Sequence, residues 1–123
     1  MVRTLLVVED EPSIADLLHL ALAGEGYRIV VVGDGRAALR RLAEGGYDLV
    51  LSDLMLPFLD GAALALAMHA DPALRALPLI LLSAAHGAAA RAVPHAAFLA
   101  KPFDLELLLA TVARLLGPDH GAR

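Results

Sequence analysis

The stretch RTLLVVEDEP, from Arg3 to Pro12, decides the fold of this chain. Its four consecutive apolar residues, Leu5 to Val8, lead directly into the acids Glu9 to Glu11. A continuous apolar run of this length is typical of a strand that is buried on both faces, as in a parallel sheet. Pro12 then suits the first position of a helix. We therefore predict a buried strand, an acidic loop and a helix, in that order.

The same alternation of apolar runs and helical spacing recurs along the chain. The other predicted strands are 29–32, 49–51, 79–82 and 96–100, and the predicted helices run from Pro12 to Gly24 or Gly26, from the Asp34 cap to Gly45, from Gly61 to Ala70 and from Asp104 to Leu116. Between Ser83 and Ala96 the sequence has room only for a short helix. Strands that alternate with helices predict an α/β fold, namely a flavodoxin-like, doubly wound, five-stranded parallel sheet of order 2-1-3-4-5 with helices on both faces.

The first predicted helix is amphipathic. Its predicted inner face consists of apolar residues at helical spacing: Ile14, Leu17, Leu18, Ala21 and Leu22. This face is expected to cover one side of the sheet.

Length and composition restrict the classes of protein to consider. A chain of 123 residues is long enough for one domain, which we expect over 1–117, with a short C-terminal tail over 118–123 and no output domain. There is no apolar run of the ~20 residues needed to span a membrane and no signal peptide, which predicts no membrane insertion. The absence of cysteine fits the cytoplasm. A net charge of −4 and 4% aromatic residues argue against direct nucleic-acid binding.

Polar side chains follow the predicted strands at their carboxyl ends, where ligands bind in doubly wound sheets. They are Glu9 and Asp10 after the first strand, Asp53 after the third, Ser83 after the fourth and Lys101 after the fifth. Strands 1 and 3 are neighbours in the predicted order, so their carboxylates should converge. Two such charges ~4 Å apart repel by roughly 4 kcal/mol at an effective dielectric constant of about 20. Oxygen ligands without any cysteine favour Mg²⁺ as the cation between them.

A carboxylate beside Mg²⁺ with a hydroxyl and an ammonium nearby is suited to accept a phosphoryl group. Asp53 is the predicted nucleophile. Lys101 and the metal neutralise charge on the transferring oxygens, and Ser83 donates a hydrogen bond to them.

Four strings of the sequence, LLVVEDEP, YDLVLSDLMLPFLDG, LPLILLSA and FLAKPF, resemble the receiver domains of two-component response regulators in order and approximate spacing. The resemblance covers almost the whole chain. It implies that Asp53 is the phosphoacceptor and that Asp10 and Asp53 bind Mg²⁺ with the backbone carbonyl of Met55. Glu9 is implied to act through a metal-bound water.

The resemblance also implies a switch. Ser83 and Lys101 contact the phosphoryl group, the Lys101–Pro102 peptide is cis, and Phe98 is the aromatic switch residue. The chain is then not an enzyme in the ordinary sense but a signalling phosphoacceptor that promotes its own phosphorylation and dephosphorylation. Its partners are a sensor histidine kinase or phosphotransfer protein and a downstream protein that the sequence does not identify.

Two departures from the family affect the region of the fourth helix. Ser83 and Lys101 are 101 − 83 = 18 residues apart, about one helical turn shorter than usual. Pro94 and His95 replace the familiar Gly-Ala pair. Because most receivers use this face for output and dimerisation, we expect a monomer or weak dimer. The alternative is a receiver-like protein-binding module that works without phosphorylation.

Two other classes share some of these features. A flavodoxin-like cofactor binder would cradle phosphate in a Ser/Thr/Gly-rich loop after strand 1, where this chain has EDEP. A phosphatase resembling the haloacid dehalogenase family would carry a second acid two residues after the nucleophile, where this chain has Met55.

Overall fold

The computed structural model describes residues 2–84 and 88–117. The predicted tail over 118–123 lies outside the described residues, as do positions 85–87 of the predicted short-helix segment. The strands are β1 Thr4–Val8, β2 Arg28–Val32, β3 Leu49–Asp53, β4 Leu79–Ser83 and β5 Ala97–Ala100. The helices are α1 Pro12–Gly24, α2 Gly35–Glu44, α3 Gly61–Ala70, α4 Ala88–Arg91 and α5 Leu105–Leu116.

The five strands form one parallel sheet of order β2-β1-β3-β4-β5, which confirms the predicted topology. Asp53 pairs with Leu82, and Ser83 pairs with Ala100. This register aligns the carboxyl ends of β3, β4 and β5 at one edge of the sheet. Asp53 and Ser83 are the last residues of their strands rather than the first residues after them.

Helices cover both faces of the sheet and create two hydrophobic cores. The first core lies between the sheet, α1 and α5, and includes Leu18, Leu22, Leu108 and Val112. The second lies on the opposite face and includes residues of α2, α3 and α4: Ala38, Leu42, Leu64, Met68 and Ala90. Leu5 to Val8 are all fully buried because β1 is central and contributes side chains to both cores. A sheet covered on both faces explains the unbroken apolar run.

The predicted inner face of α1 is wrong at Leu17, whose side chain is 46% exposed. The buried residues of this helix are Ala15, Leu18 and Leu22. Apolar residues of α1 occur on most sides of the helix, so helical periodicity alone does not specify which side faces the sheet. Packing against the sheet decides the orientation.

Acidic caps determine where four of the helices begin. The carboxylate of Glu11 accepts from the Ser13 N–H, that of Asp34 from Ala37, that of Asp60 from Ala63 and that of Asp104 from Glu106 and Leu107. Each cap satisfies backbone donors that have no partner within the helix. The prediction of Asp34 as a cap is confirmed, and Asp104 is the cap of α5 rather than its first residue.

The fourth helix is short, as predicted, and spans only Ala88–Arg91. Among the described residues, no helix combines the length and apolar character needed to cross a bilayer.

Candidate functional site

Three carboxylates meet at the carboxyl edge of the sheet. Oxygen atoms of Glu9, Asp10 and Asp53 all lie within 4.8 Å of one another, which confirms the predicted convergence of the carboxylates at the ends of β1 and β3. Glu9 and Asp53 are buried and Asp10 is exposed. The Glu9 N–H donates to the Val32 carbonyl at 3.0 Å, which holds the start of this loop beside β2. The acidic cluster is therefore anchored by the strands themselves.

Lys101, the residue after β5, completes the cluster. Its Nζ lies 3.0 Å from Glu9 Oε1 and 3.0 Å from Asp53 Oδ2, although 92 residues separate it from Glu9 in the chain. The Lys101 N–H donates to the Ser83 carbonyl at 2.8 Å, and the Lys101–Pro102 peptide is cis, as the resemblance implied. A metal is the predicted counter-ion of these acids, and the structure adds a second one, the Lys101 ammonium.

The site shifts the pKa of two of its members, Glu9 and Lys101. Burial raises the pKa of Glu9, against the opposing effect of its hydrogen bond from Lys101. For Lys101, burial favours the neutral amine, but hydrogen bonds to Glu9 and Asp53 and the charges of both acids outweigh it and raise the pKa. The lysine therefore remains an ammonium at neutral pH and stabilises two acids that would otherwise repel each other.

The loop after Asp53 is tightly fitted to the strand end. The Met55 N–H donates to Asp53 Oδ1 at 3.2 Å, and the Gly61 N–H donates to the Leu54 carbonyl at 2.9 Å. A Cβ at Gly61 would lie only 2.5 Å from the Asp53 carbonyl oxygen, so this position has no room for a side chain. The two carboxylate oxygens of Asp53 thus have different partners, a backbone amide and an ammonium.

The donor set fits a hard divalent cation. All three side chains offer carboxylate oxygens, the ligand type that Mg²⁺ and Ca²⁺ prefer. Lys101 already contacts two of these carboxylates, and Asp10 supplies a further, exposed carboxylate. The role predicted for the Met55 carbonyl stays a prediction.

The structure places the two predicted switch residues, Ser83 and Phe98, on neighbouring strands. Ser83 is fully buried at the end of β4, one residue beyond the partner of Asp53. Phe98 pairs with Leu81 in the sheet, so Phe98 and Ser83 are on the same sheet face. Phe98 is half-buried and packs against the second core. Their roles as phosphoryl ligand and switch residue remain predictions.

Phe58, on the loop between β3 and α3, is not among the predicted site residues. Its backbone has a φ of 65°, its side chain is 77% exposed, and the Arg36 guanidinium carbon lies 4.4 Å from the ring centroid. A signal was present in the sequence, since six consecutive apolar residues separate Asp53 from Asp60 in a segment that has to form a surface loop.

One protein family matches most of this chain in sequence. Residues 5–113 match the family described as the response regulator receiver domain. The DNA-binding response regulator MtrA of Mycolicibacterium smegmatis is 42% identical over 84 residues, which cover 68% of this chain and 36% of MtrA. The uncharacterized transcriptional regulatory protein YkoG of Bacillus subtilis is 36% identical over 116 residues, with 91% of this chain and 50% of YkoG covered. The chain thus spans between about a third and a half of these relatives.

Two solved structures of receiver domains are similar to this chain in fold and in sequence. The receiver domain of a signal transduction histidine kinase from Syntrophus aciditrophicus has a TM-score of 0.90 and 32% identity, with 98% of this chain and 95% of that chain covered. The receiver domain of a sensor histidine kinase from Pseudomonas aeruginosa has a TM-score of 0.88 and 31% identity, with 96% and 100% covered, and holds a magnesium ion in its active site cleft.

These matches give no support to a binding module that works without phosphorylation. The family model covers most of the chain, and the relatives and solved structures named above are response regulators or receiver domains or, in the case of YkoG, a transcriptional regulatory protein. The chain therefore belongs to the response regulator receiver domain family.

Proposed function

We propose that Asp53 accepts a phosphoryl group from the phosphohistidine of a sensor histidine kinase or phosphotransfer protein. The observation that supports this proposal is the contact of Lys101 Nζ with both Glu9 and Asp53, beside an exposed third carboxylate, Asp10. A lysine held by two buried acids places a positive charge beside the carboxylate that would receive the phosphoryl group.

In the proposed transfer, a carboxylate oxygen of Asp53 forms a bond to phosphorus while the bond between phosphorus and the donor's imidazole nitrogen breaks. The electron pair of the broken bond stays on the imidazole. Lys101 stabilises the negative charge on the transferring oxygens, and the Ser83 hydroxyl donates to one of them. The Met55 N–H, which contacts Asp53 Oδ1 at 3.2 Å, holds the carboxylate in orientation.

We propose that Glu9, Asp10 and Asp53, with the Met55 carbonyl, hold Mg²⁺. When bound, this ion would add its two positive charges to that of Lys101 in stabilising the phosphoryl oxygens. The oxygen-only donor set supports the assignment. The same residues would promote later hydrolysis of the aspartyl phosphate, which makes the domain the catalyst of its own phosphorylation and dephosphorylation.

Phosphorylation is proposed to draw Ser83 toward the phosphoryl group and let Phe98 turn inward, which shifts the population of two surface states. The shared sheet face of these residues supports this coupling. The altered surface then recruits a downstream protein.

We further propose that the receiver unit spans 1–117 and acts in the cytoplasm. The absence of cysteine supports this location, because a chain that forms no disulfide does not need an oxidising compartment.

Intact-mass spectrometry after incubation with acetyl phosphate tests the proposed function. We expect the wild type to gain the mass of one phosphoryl group with Mg²⁺, to gain none in EDTA, and Asp53→Asn to gain none in either. Asp16→Asn, which replaces an exposed acid on α1, is the matched control and should be labelled like the wild type. Equal labelling of Asp53→Asn and wild type would overturn the assignment of the phosphoacceptor.

A further inference from the structure

The loop between β3 and α3 exposes apolar side chains beside Asp53. Leu54 is buried, and Leu56 and Leu59 pack partly against the second core. Met55 is 67% exposed, Phe58 is 77% exposed, and Pro57 between them is exposed too. We call Met55, Pro57 and Phe58 the apolar rim. Exposed apolar residues that cluster on a loop, where polar residues are expected, call for a functional explanation because the core gains nothing from them.

Phe58 occupies a backbone conformation that suits glycine. Within the described residues it is the single non-glycine residue with a positive φ, at 65°. The left-handed region is unfavourable for a residue with a Cβ, and a bulky aromatic side chain has no local hydrogen bond to compensate. A strained residue whose side chain contributes little to the core is an indication of function.

The ring of Phe58 is held in place although it is exposed. The Arg36 guanidinium, from the first turn of α2, lies over it at 4.4 Å from the centroid. The two elements are also in close backbone contact, since a Cβ at Gly35 would collide with the Leu59 carbonyl. The aromatic side chain is therefore preorganised, which lowers the entropy lost when a partner packs against it.

The apolar rim begins beside the residue that a phosphodonor protein would have to reach. The donor nitrogen and phosphorus have to approach Asp53 to within about 3–3.5 Å. The Met55 N–H donates to Asp53 Oδ1 at 3.2 Å, so the first residue of the apolar rim lies beside the carboxylate that a protein donor would approach. We infer that the apolar rim is a docking patch for the phosphodonor protein, with Phe58 as its aromatic anchor.

The inference rests on the proposed phosphotransfer to Asp53 and adds the chemistry of the partner. The donor protein carries an apolar surface next to its phosphohistidine. A small donor such as acetyl phosphate has no such surface and gains nothing from the rim. The difference between the two donors therefore isolates docking from chemistry.

The experiment compares phosphotransfer rates from two donors to wild type and Phe58→Gly. The protein donors are the phosphorylated cytoplasmic fragments of the source organism's sensor histidine kinases, and the fastest of them on the wild type is selected. The small donor is acetyl phosphate. Glycine suits the positive φ, so Phe58→Gly removes the ring without disturbing the fold, which thermal unfolding verifies.

We expect kcat/KM with the kinase fragment to fall at least about tenfold in Phe58→Gly, as for an aromatic interface anchor, while labelling by acetyl phosphate is unchanged. Phe58→Tyr should restore most of the kinase rate. Val2→Ala, which trims a side chain that is 60% exposed at the opposite edge of the sheet, is the matched control and should behave like the wild type.

Three outcomes would overturn the inference. They are an unchanged kinase rate in Phe58→Gly, an equal loss with both donors, and a wild type that no kinase fragment labels faster than acetyl phosphate does. Failure of the proposed function looks different, because then neither donor labels Asp53 in the wild type.

Discussion

Replacing Lys101 by methionine tests how the site is held together. Methionine keeps the length and apolar stem of lysine but removes the ammonium that contacts Glu9 Oε1 and Asp53 Oδ2 at 3.0 Å each. The side chains involved are well shielded from water, with exposed fractions of 13% for Lys101, 1% for Glu9 and 10% for Asp53. The variant therefore leaves two buried carboxylates close together without their cation.

The expected cost follows from these distances. A pair of opposite charges ~3 Å apart attracts by roughly 5 kcal/mol at an effective dielectric constant of about 20, and desolvation of the charges offsets much of this. Removing one partner of a buried ion pair costs about 3–5 kcal/mol in proteins where it has been measured. We expect a loss of that size in the free energy of unfolding at pH 7 without metal, which is a large part of the roughly 5–15 kcal/mol of a typical domain.

Urea unfolding of metal-free protein in EDTA measures this loss. Lys101→Met should regain stability in Mg²⁺, because the ion replaces the missing positive charge, and also toward pH 4, where Glu9 takes up a proton. The double variant Lys101→Met/Asp53→Asn should recover at least half of the loss because it removes one of the two acids. A loss below about 1 kcal/mol, the range of exposed ion pairs, would refute the reasoning.

Two further predictions concern Glu9 and Gly61. Burial raises the pKa of Glu9 above its usual 4.5, so the folded state binds this proton more tightly, and the free energy of unfolding should fall as pH rises from 4.5 through the raised pKa. Urea unfolding of metal-free Glu9→Gln should show a flatter pH dependence than the wild type, and parallel curves would contradict this. In Gly61→Ala the new Cβ would lie 2.5 Å from the Asp53 carbonyl oxygen and 2.8 Å from Leu54 Cα. The free energy of unfolding, measured in urea, should therefore fall by about 1–3 kcal/mol, and labelling by acetyl phosphate should be slower. Gly24→Ala, with open space around its Cβ, should unfold no more easily than the wild type, and equal losses in both would exclude the steric explanation.

Much of the fold could be predicted because its signals are local. The apolar run Leu5 to Val8 requires burial on both faces, and the alternation with helical segments then leaves few topologies. Asp34 was predicted as a cap because a cap needs only its own turn of helix. Leu17 was predicted wrongly because the rotation of α1 depends on the sheet beneath it, which the helical period alone does not specify.

The candidate site, too, could be predicted only in part from the sequence. The sequence by itself determined that Glu9, Asp10, Asp53, Ser83 and Lys101 belong to one edge, because parallel strands place all their carboxyl ends together. Only the tertiary structure decided which charges pair. Lys101 contacts two acids that are 92 and 48 residues away, and that choice depends on distances of a few ångströms between separate strands. The stacking of Arg36 on Phe58 is of the same kind, since a contact between α2 and a distant loop exists only once the sheet has brought both together.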